Sequence, residues 1–334
     1  MRLPLIIRPM EKLITVEAVA ATEAGAIAAA RLMGRGDRMA ADRAAVEAMR
    51  LAMEEAEISG TIVIGEGERD EAPMLFIGEQ VGNPDAATSV DIAVDPLEGT
   101  NLVATGSPNA TVVLAAAEPG GLMHAPDTYL RKLVVGRQVA GHVSINDPVA
   151  TVIATIAERL GRAPFDITVV ILDRERHKEL IEEVRATGAR IKLISDGDLT
   201  AGISVAVSGT GVHAVMGTGG APEGVLTAAA LKCLGGEIQA QFRWRSDEER
   251  ERGRTMGVDV DDVDRIYRTD DLAPGENVVF AATGVTDGEL LRGVRFFGGG
   301  ARTHSLLMSH SRGIVRFIDT VHMWDAHQPP RVRL

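Results

Sequence analysis

Apolar and polar positions alternate with two different periods along this chain. From Glu11 to Met33 the pattern is alanine-rich and helical, ending at Gly34 and Gly36. A second helix is expected from about Ala40 to Ile58, closing at "SG". "TIVIG" (61–65) reads as a short buried strand, the alternating "TSVDIAVDP" as another, and "ATVVLAAAEPGG" as a strand running into a turn. From about Asp166, strand and helix alternate. "ITVVIL" precedes the helical "RHKELIEEVRATG", "RIKLI" precedes "DGDLTAGISVAV", and "GVHAVM" precedes "PEGVLTAAALKCLGG". "ENVVFAATG" and "GIVRFIDTVH" add strands near the end. The order predicts an α/β layered protein whose strand ends face Gly- and Asp-rich loops, where ligands usually bind. A lobe boundary is placed near residue 165, giving an N-terminal lobe over 1–165 and a C-terminal α/β lobe over 166–334.

Composition narrows the function classes. With 334 residues, 45% of them apolar, the chain can bury a sizeable core as one large α/β domain or two lobes. A formal net charge of -12 argues against a nucleic-acid backbone or an anionic membrane surface as partner. A small anionic substrate remains compatible where local arginines or metal ions reverse the field. The single cysteine, Cys233, permits no intrachain disulfide and gives no sign of an oxidising compartment. The apolar part of "MRLPLIIRPMEKL" is short and broken by Arg8 and Pro9, unlike a secretory signal. No run approaches the roughly 18 apolar residues of a membrane span. A cytoplasmic protein is the expectation.

The chemistry lies in the acids. Four stretches carry them: "GRGDRMAADRAA" with Asp37 and Asp42, "IGEGERDEAP" with Glu66, Glu68, Asp70 and Glu71, "DIAVDPLEGTNL" with Asp95 and Glu98, and "GTGGAPEG" with Glu223 after a Gly-rich turn. Acids at helix starts usually cap or complement the dipole, the plain reading for Asp37, Glu68, Glu71 and Asp198. The run "SDEERERGR" reads as a solvated helix face. Asp95, Glu98 and Glu66 resist that reading. Each sits at or just past the end of a strand that looks buried, where an unpaired carboxylate costs several kcal/mol. Converging acids repel unless cations lie between them, and hard Mg²⁺ or Mn²⁺ with oxygen ligands answers this economically. Zinc fits less well, since the histidines and the cysteine show no ligand spacing.

The turn chemistry adds a phosphate. Pro96 restricts the backbone after Asp95 and Gly99 allows a ligand to approach closely. Backbone N–H groups near Gly99, Thr100 and Asn101 suit a phosphate oxygen if a helix or tight turn begins there. Thr100 is either a helix cap or a group orienting a water. "MGTGGAPEGVL" is no dinucleotide fingerprint, because Pro222 stands where the third glycine belongs; it instead presents Glu223 at a helix mouth. The chain has no Gly-Lys pair for a Walker A loop and no G-x-S-x-G elbow.

"DPLEGTNL" resembles the D-P-[IL]-[DE]-G-T signature of lithium-sensitive, metal-dependent sugar phosphatases. In order along the chain, "GRGDRMAADRAAVEAMR", "GTIVIGEGERDEAPMLFIGEQVG", "VDIAVDPLEGT", "APDTYLRKLVVG", "SDGDLTAGI" and "GTGGAPEGVLTAAALKCLGGE" resemble a class II fructose-1,6-bisphosphatase, the kind that in some bacteria also hydrolyses sedoheptulose-1,7-bisphosphate. The resemblance runs from about Glu11 to His322. It implies a layered αβαβα sugar-phosphatase fold, assembly into a homo-oligomer (dimer or tetramer), a sugar bisphosphate as small-molecule partner, and a place in gluconeogenesis or a carbon-fixation (Calvin) cycle. It implies metal ligands at Asp42, Glu66, Asp95, Glu98 and Glu223. Implied substrate contacts fall on Glu98, Gly99, Thr100, Tyr129, Arg174, Glu175, Arg176, Asp196, Gly197, Asp198 and Gly220.

The implied reaction is hydrolysis of the 1-phosphate of fructose-1,6-bisphosphate by in-line attack of a metal-activated water. Thr100, Asp70 and Arg38 are the candidate catalytic side chains, with Thr100 and Asp70 placed to orient or deprotonate that water. Two positions depart from the family pattern. Arg38 replaces the usual lysine of G-R-G-D-K, and arginine is no proton donor near neutrality. "DRERH" replaces the usual "KPRH", so Glu175 puts an acid where a distal phosphate is expected, beside Arg174 and Arg176 that can grip it. The rival readings are an inositol-monophosphatase-like or nucleotide-3′-phosphate phosphatase with the same metal chemistry, and a non-catalytic sugar-phosphate-binding regulator.

Overall fold

The computed structural model describes residues 9–66 and 74–324, with side chains from Ile14 onward in the first helix. Two helices, α1 (Pro9–Ala30) and α2 (Arg38–Glu54), pack side by side at the start. Asp37 caps α2, its carboxylate accepting from the Ala40 N–H at 2.9 Å. The chain then lays down β1 (Ser59–Ile64), β2 (Gln80–Gly82), β3 (Ser89–Glu98), the short α3 (Thr100–Thr105) and β4 (Thr111–Ala117). It crosses to a second sheet through β5 (Tyr129–Val135), α4 (Val149–Leu160), β6 (Thr168–Leu172), α5 (Lys178–Ala186), β7 (Arg190–Ile194), α6 (Asp198–Ala206) and β8 (Ala214–Gly220). That sheet finishes with α7 (Ala221–Leu234), β9 (Glu237–Arg243), α8 (Asp247–Thr255), β10 (Tyr267–Arg268) and α9 (Thr269–Leu272). The chain then returns to the first sheet as β11 (Val279–Gly284), β12 (Arg295–Phe297), β13 (Gly300–Ser309) and β14 (Ile314–Met323).

The first sheet runs β12-β13-β11-β4-β3-β1-β2, with β14 on the outer side of β13, and the second runs β10-β9-β5-β8-β6-β7. Both are mixed: β1 and β3 are parallel in the first, β6 is parallel to β7 and β8 in the second, and the other pairs are antiparallel. Residue 165 falls in a short 3-10 turn (Pro164–Asp166) between α4 and β6.

Three cores hold five layers together, the central one enclosing α6 and α7. Every position of β4 is buried because both its faces are covered. Val112, Leu114 and Ala116 join the core under α1 and α2, while Val113, Ala115 and Ala117 join the core around α6 and α7. In β5, Leu130 and Val134 face that same central layer, and Leu133 and Val135 face the outer core of α4 and α5. The order is αβαβα, as the resemblance implies. Sandwiched between two sheets, α7 cannot show one wet face; Gly224 through Leu231 are all buried, and their small size lets the sheets close on it. No helix among the described residues is long and apolar enough to cross a membrane.

Candidate active site and metal centre

Asp95 and Glu98 are three residues apart, an odd spacing that would turn them to opposite faces of a regular strand. They do not diverge, because β3 is irregular there. Asp95 pairs with Val113 and Glu98 with Thr111, so β3 carries one residue more than β4 across this step. That is a β-bulge, and Pro96, which has no N–H to give a ladder, sits in it. The turn expected after Asp95 is therefore a kink within a strand that continues to Glu98. The Leu97 N–H closes onto Asp95 Oδ1 at 3.1 Å and the Leu199 N–H of α6 donates to Glu98 Oε1 at 3.1 Å. Gly99 follows with φ +86°, a left-handed conformation that starts α3 with Thr100 as its first residue.

Glu223 arrives from the opposite sheet. The Gly-rich stretch expected to be a turn instead prolongs β8 to Gly220, and Pro222 opens α7 with Glu223 in its first turn. A Cβ on Gly220 would sit 1.9 Å from Glu223 Oε2, so only glycine leaves room for that carboxylate. Asp95, Glu98 and Glu223 each bring an oxygen within 4.8 Å of the others. Glu66, just past β1, and Asp42, in the first turns of α2, line the same cavity of about 480 Å³.

The electrostatics are those of an acid cluster with too few cations. Burial, then Asp42 and Asp95, pushes Glu66 up to about 8. Burial, then Glu223, pushes Asp95 to about 7, against the lowering effect of its hydrogen bonds with Glu98 and Leu97. Glu98 is driven well above the usual carboxylate range by burial and then by Asp95. Burial also raises Asp42, and raises Glu223 against the opposing charge of Lys132. Glu223 Oε2 is buried with no hydrogen-bond partner among the described residues. A carboxylate with an unpartnered buried oxygen, belonging to a cluster of acids, fits hard divalent cations with oxygen ligands.

The same cavity also carries basic and polar lining. Arg174 bonds the Ser195 carbonyl at 2.6 Å and Asp196 Oδ1 at 3.4 Å, and Asn101 Nδ2 donates to Asp196 Oδ2 at 3.1 Å. Arg176 donates twice to the Thr218 carbonyl, at 3.2 and 2.7 Å. Tyr129, the first residue of β5, lies under two guanidinium groups, Arg176 at 4.9 Å and Arg245 at 4.8 Å from its ring centre. Arg245 is itself held by Glu249 and by the Asp127 carbonyl at 3.0 Å.

The cavity wall thus gathers Asp42, Glu66, Asp95, Glu98, Gly99, Thr100, Tyr129, Arg174, Arg176, Asp196, Gly197, Asp198, Gly220 and Glu223. Two candidates lie off it. Arg38 is exposed at the start of α2, and Glu175 is exposed and paired with Lys178, so the acid replacing the family's proline does not face the cavity. Asp70, with Glu68 and Glu71, lies outside the described residues. Residue reading missed Lys132, Asp127 and Arg245. Lys132 sits inside "APDTYLRKLVVG" and bonds Asp198 Oδ2 at 2.7 Å; a lysine on the same strand face as Leu130 and Val134 was the available signal.

A family model described as bacterial fructose-1,6-bisphosphatase, glpX-encoded, matches residues 12–322. Three curated relatives carry the name D-fructose 1,6-bisphosphatase class 2/sedoheptulose 1,7-bisphosphatase. That of Synechococcus sp. (strain JA-3-3Ab) is 48% identical over 346 residues, spanning 97% of this chain and 100% of its own length. That of Synechococcus elongatus is 50% identical over 337 residues, spanning 95% and 98%. That of Acaryochloris marina, numbered 2 in its name, is 46% identical over 343 residues, spanning 96% and 99%.

Proposed function

The chain belongs to the bacterial, glpX-encoded fructose-1,6-bisphosphatase family, and from that premise we propose that its acidic cavity hydrolyses the 1-phosphate of fructose-1,6-bisphosphate and the corresponding ester of sedoheptulose-1,7-bisphosphate. It is a phosphoric monoester hydrolase. The observation that carries the site assignment is the meeting of Asp95, Glu98 and Glu223 from two sheets in one cavity that Arg174, Arg176 and Tyr129 also line. One end is built for a phosphate that must shed its charge onto cations. The other is built for a phosphate that stays.

Glu66, Asp95, Glu98 and Glu223, with Asp42 beside them, would hold Mg²⁺ or Mn²⁺. Such ions, when bound, supply positive charge against the phosphoryl oxygens and acidify water. The chain's own groups do the rest. The Thr100 and Asn101 N–H groups have no acceptor within α3 and point the phosphoryl oxygens into place. The Thr100 hydroxyl orients the attacking water on the line through phosphorus and the leaving sugar oxygen. Asp196, steadied by Arg174 and Asn101, and Asp198, with Oδ2 on Lys132, accept hydrogen bonds from the sugar hydroxyls. Arg174 and Arg176 bind the distal phosphate against Tyr129, Arg176 stacking on its ring. The active form is a homo-oligomer.

Phosphate release across a substrate panel tests this. Fructose-1,6-bisphosphate and sedoheptulose-1,7-bisphosphate should turn over with Mg²⁺ or Mn²⁺, stop with chelator and slow with Li⁺. Inositol 1-phosphate and adenosine 3′,5′-bisphosphate, which place no second phosphate at Arg174 and Arg176 in the same geometry, should react far more slowly. Equal rates on inositol 1-phosphate would overturn the proposal.

A further inference from the structure

Lys132 is out of place for its surroundings. Its neighbours on the same face of β5, Leu130 and Val134, are core residues of the layer between the sheets, yet its side chain is only 3% exposed and ends in an ammonium group. A buried ammonium is tolerated only beside a carboxylate that neutralises it. Asp198, the first residue of α6, fills that role, with Oδ2 2.7 Å from Nζ and its own side chain 13% exposed. Space has been cleared for this pair. A Cβ on Gly219 would fall 2.3 Å from Asp198 Oδ2 and 3.0 Å from Lys132 Nζ.

The pair stands next to the acid cluster. Leu199, the residue after Asp198, donates its N–H to Glu98, which places Asp198 one residue from the Glu98 carboxylate. Asp198 raises both Glu98 and Glu223, and Lys132 opposes the rise at Glu223. Without the ammonium, four wholly or partly buried acids would crowd one another: Asp95, Glu98, Glu223 and Asp198. The arginines of the cavity bond elsewhere, Arg176 to the Thr218 carbonyl and Arg174 to the Ser195 carbonyl and Asp196.

We propose that Lys132 is a positioning residue that divides the cavity's acids in two, binding Asp198 so that it serves the sugar and stays out of the cation-binding set. The inference rests on the reading of this cavity as a cation-assisted phosphatase site. With Oδ2 held by the ammonium, Asp198 offers Oδ1 to a sugar hydroxyl, whereas Asp95, Glu98 and Glu223 have no cationic side chain bonded to them among the described residues and keep their charge for cations. Lys132 thereby sets how many cations the cavity takes, and it does so without touching phosphate.

Counting Mn²⁺ bound per chain by electron paramagnetic resonance, with no substrate present, separates the possibilities. Lys132→Met should bind one more Mn²⁺ than the wild-type chain, and Lys132→Met/Asp198→Asn should return to the wild-type number. Asp198→Asn alone should keep the wild-type number. In steady-state assays Lys132→Met should raise KM for fructose-1,6-bisphosphate about tenfold, the scale of a lost hydrogen bond to a charged group, with kcat changed much less. A folded Lys132→Met chain with an unchanged Mn²⁺ count would overturn the inference while leaving the phosphatase reading intact. An Asp198→Asn chain that binds one Mn²⁺ fewer would do the same, since Asp198 would then be a ligand. A wild-type chain that binds no Mn²⁺ would overturn both.

Discussion

At Glu98, one carboxylate oxygen is tied to the Leu199 backbone N–H while the group as a whole is buried among other acids. Glutamine can keep that hydrogen bond through its own carbonyl, so Glu98→Gln tests charge with little change of shape. We expect it to melt within a few degrees of the wild-type chain and to lose about a hundredfold or more in kcat, because withdrawing a ligand charge removes several kcal/mol of transition-state stabilisation. Thr100→Ala should also fold, and should lose about tenfold to a hundredfold, the range for one hydrogen-bonding group at a developing charge. Phosphate-release kinetics paired with circular-dichroism melts check both. Either variant turning over at the wild-type rate would remove its residue from the scheme. Glu66, Asp95 and Glu98 were legible in the sequence because charged groups at the ends of apolar strands have no inexpensive explanation, whereas Asp42 and Glu223 entered the ligand set only through the family resemblance. Their partners were not: nothing local tells which lysine reaches which aspartate, and Lys132 and Asp198 are joined only by the crossing from β5 to α6.

At the scale of elements, the sequence pattern predicted most helices and strands and misread two connections. The stretch after Asp95 contains Pro and Gly and reads as a turn, yet β3 runs on through a bulge. "GTGG" also reads as a turn, yet it is the end of β8, glycine-rich because Glu223 and the Lys132–Asp198 pair press against it. In both places local propensity lost to tertiary contacts with the opposite sheet, which periodicity does not encode. The strands β2, β5, β9, β10, β12 and β13 and the helices α4 and α9 also received no assignment from the pattern. An element-scale prediction follows from the "DRERH" segment. Arg174 has extended backbone angles, φ −139° and ψ 146°, which suit a residue before proline, and Glu175 begins the 3-10 turn Glu175–His177. Glu175→Pro should therefore be accommodated and, since the Glu175 carboxylate faces Lys178 rather than the cavity, should leave KM for fructose-1,6-bisphosphate within about twofold. A tenfold change in KM would place that carboxylate at the substrate.

Across the whole molecule, three cores and two sheets exist to bring α2, β1, β3, α6 and α7 to one cavity. The αβαβα order came from the resemblance and agrees with the cores, whereas the alternation of elements alone gave only an α/β layered protein. The assembled acids make a pH prediction with a definite sign. Glu66, at about 8 against an ordinary 4.5, and Asp95, at about 7 against 3.8, hold protons in the folded metal-free chain that the unfolded chain has released. Stability from these groups is therefore full below about pH 4 and is lost as pH rises through about 8. In chelator, the melting temperature should fall between pH 5 and pH 8.5. Added Mg²⁺ or Mn²⁺ should raise it more at pH 8 than at pH 6, since the ions compete with fewer protons. A melting temperature in chelator that climbs over this interval would contradict the assignment.

The central claim is that these carboxylates, remote in the chain, share divalent ions in one cavity. Diffraction at the manganese absorption edge, from crystals grown with Mn²⁺, addresses it directly. The account predicts anomalous density between the carboxylates of Asp95, Glu98 and Glu223, with Glu66 or Asp42 reaching a second ion. Mn²⁺-dependent turnover in solution together with crystals that hold Mn²⁺ only elsewhere on the molecule would contradict it.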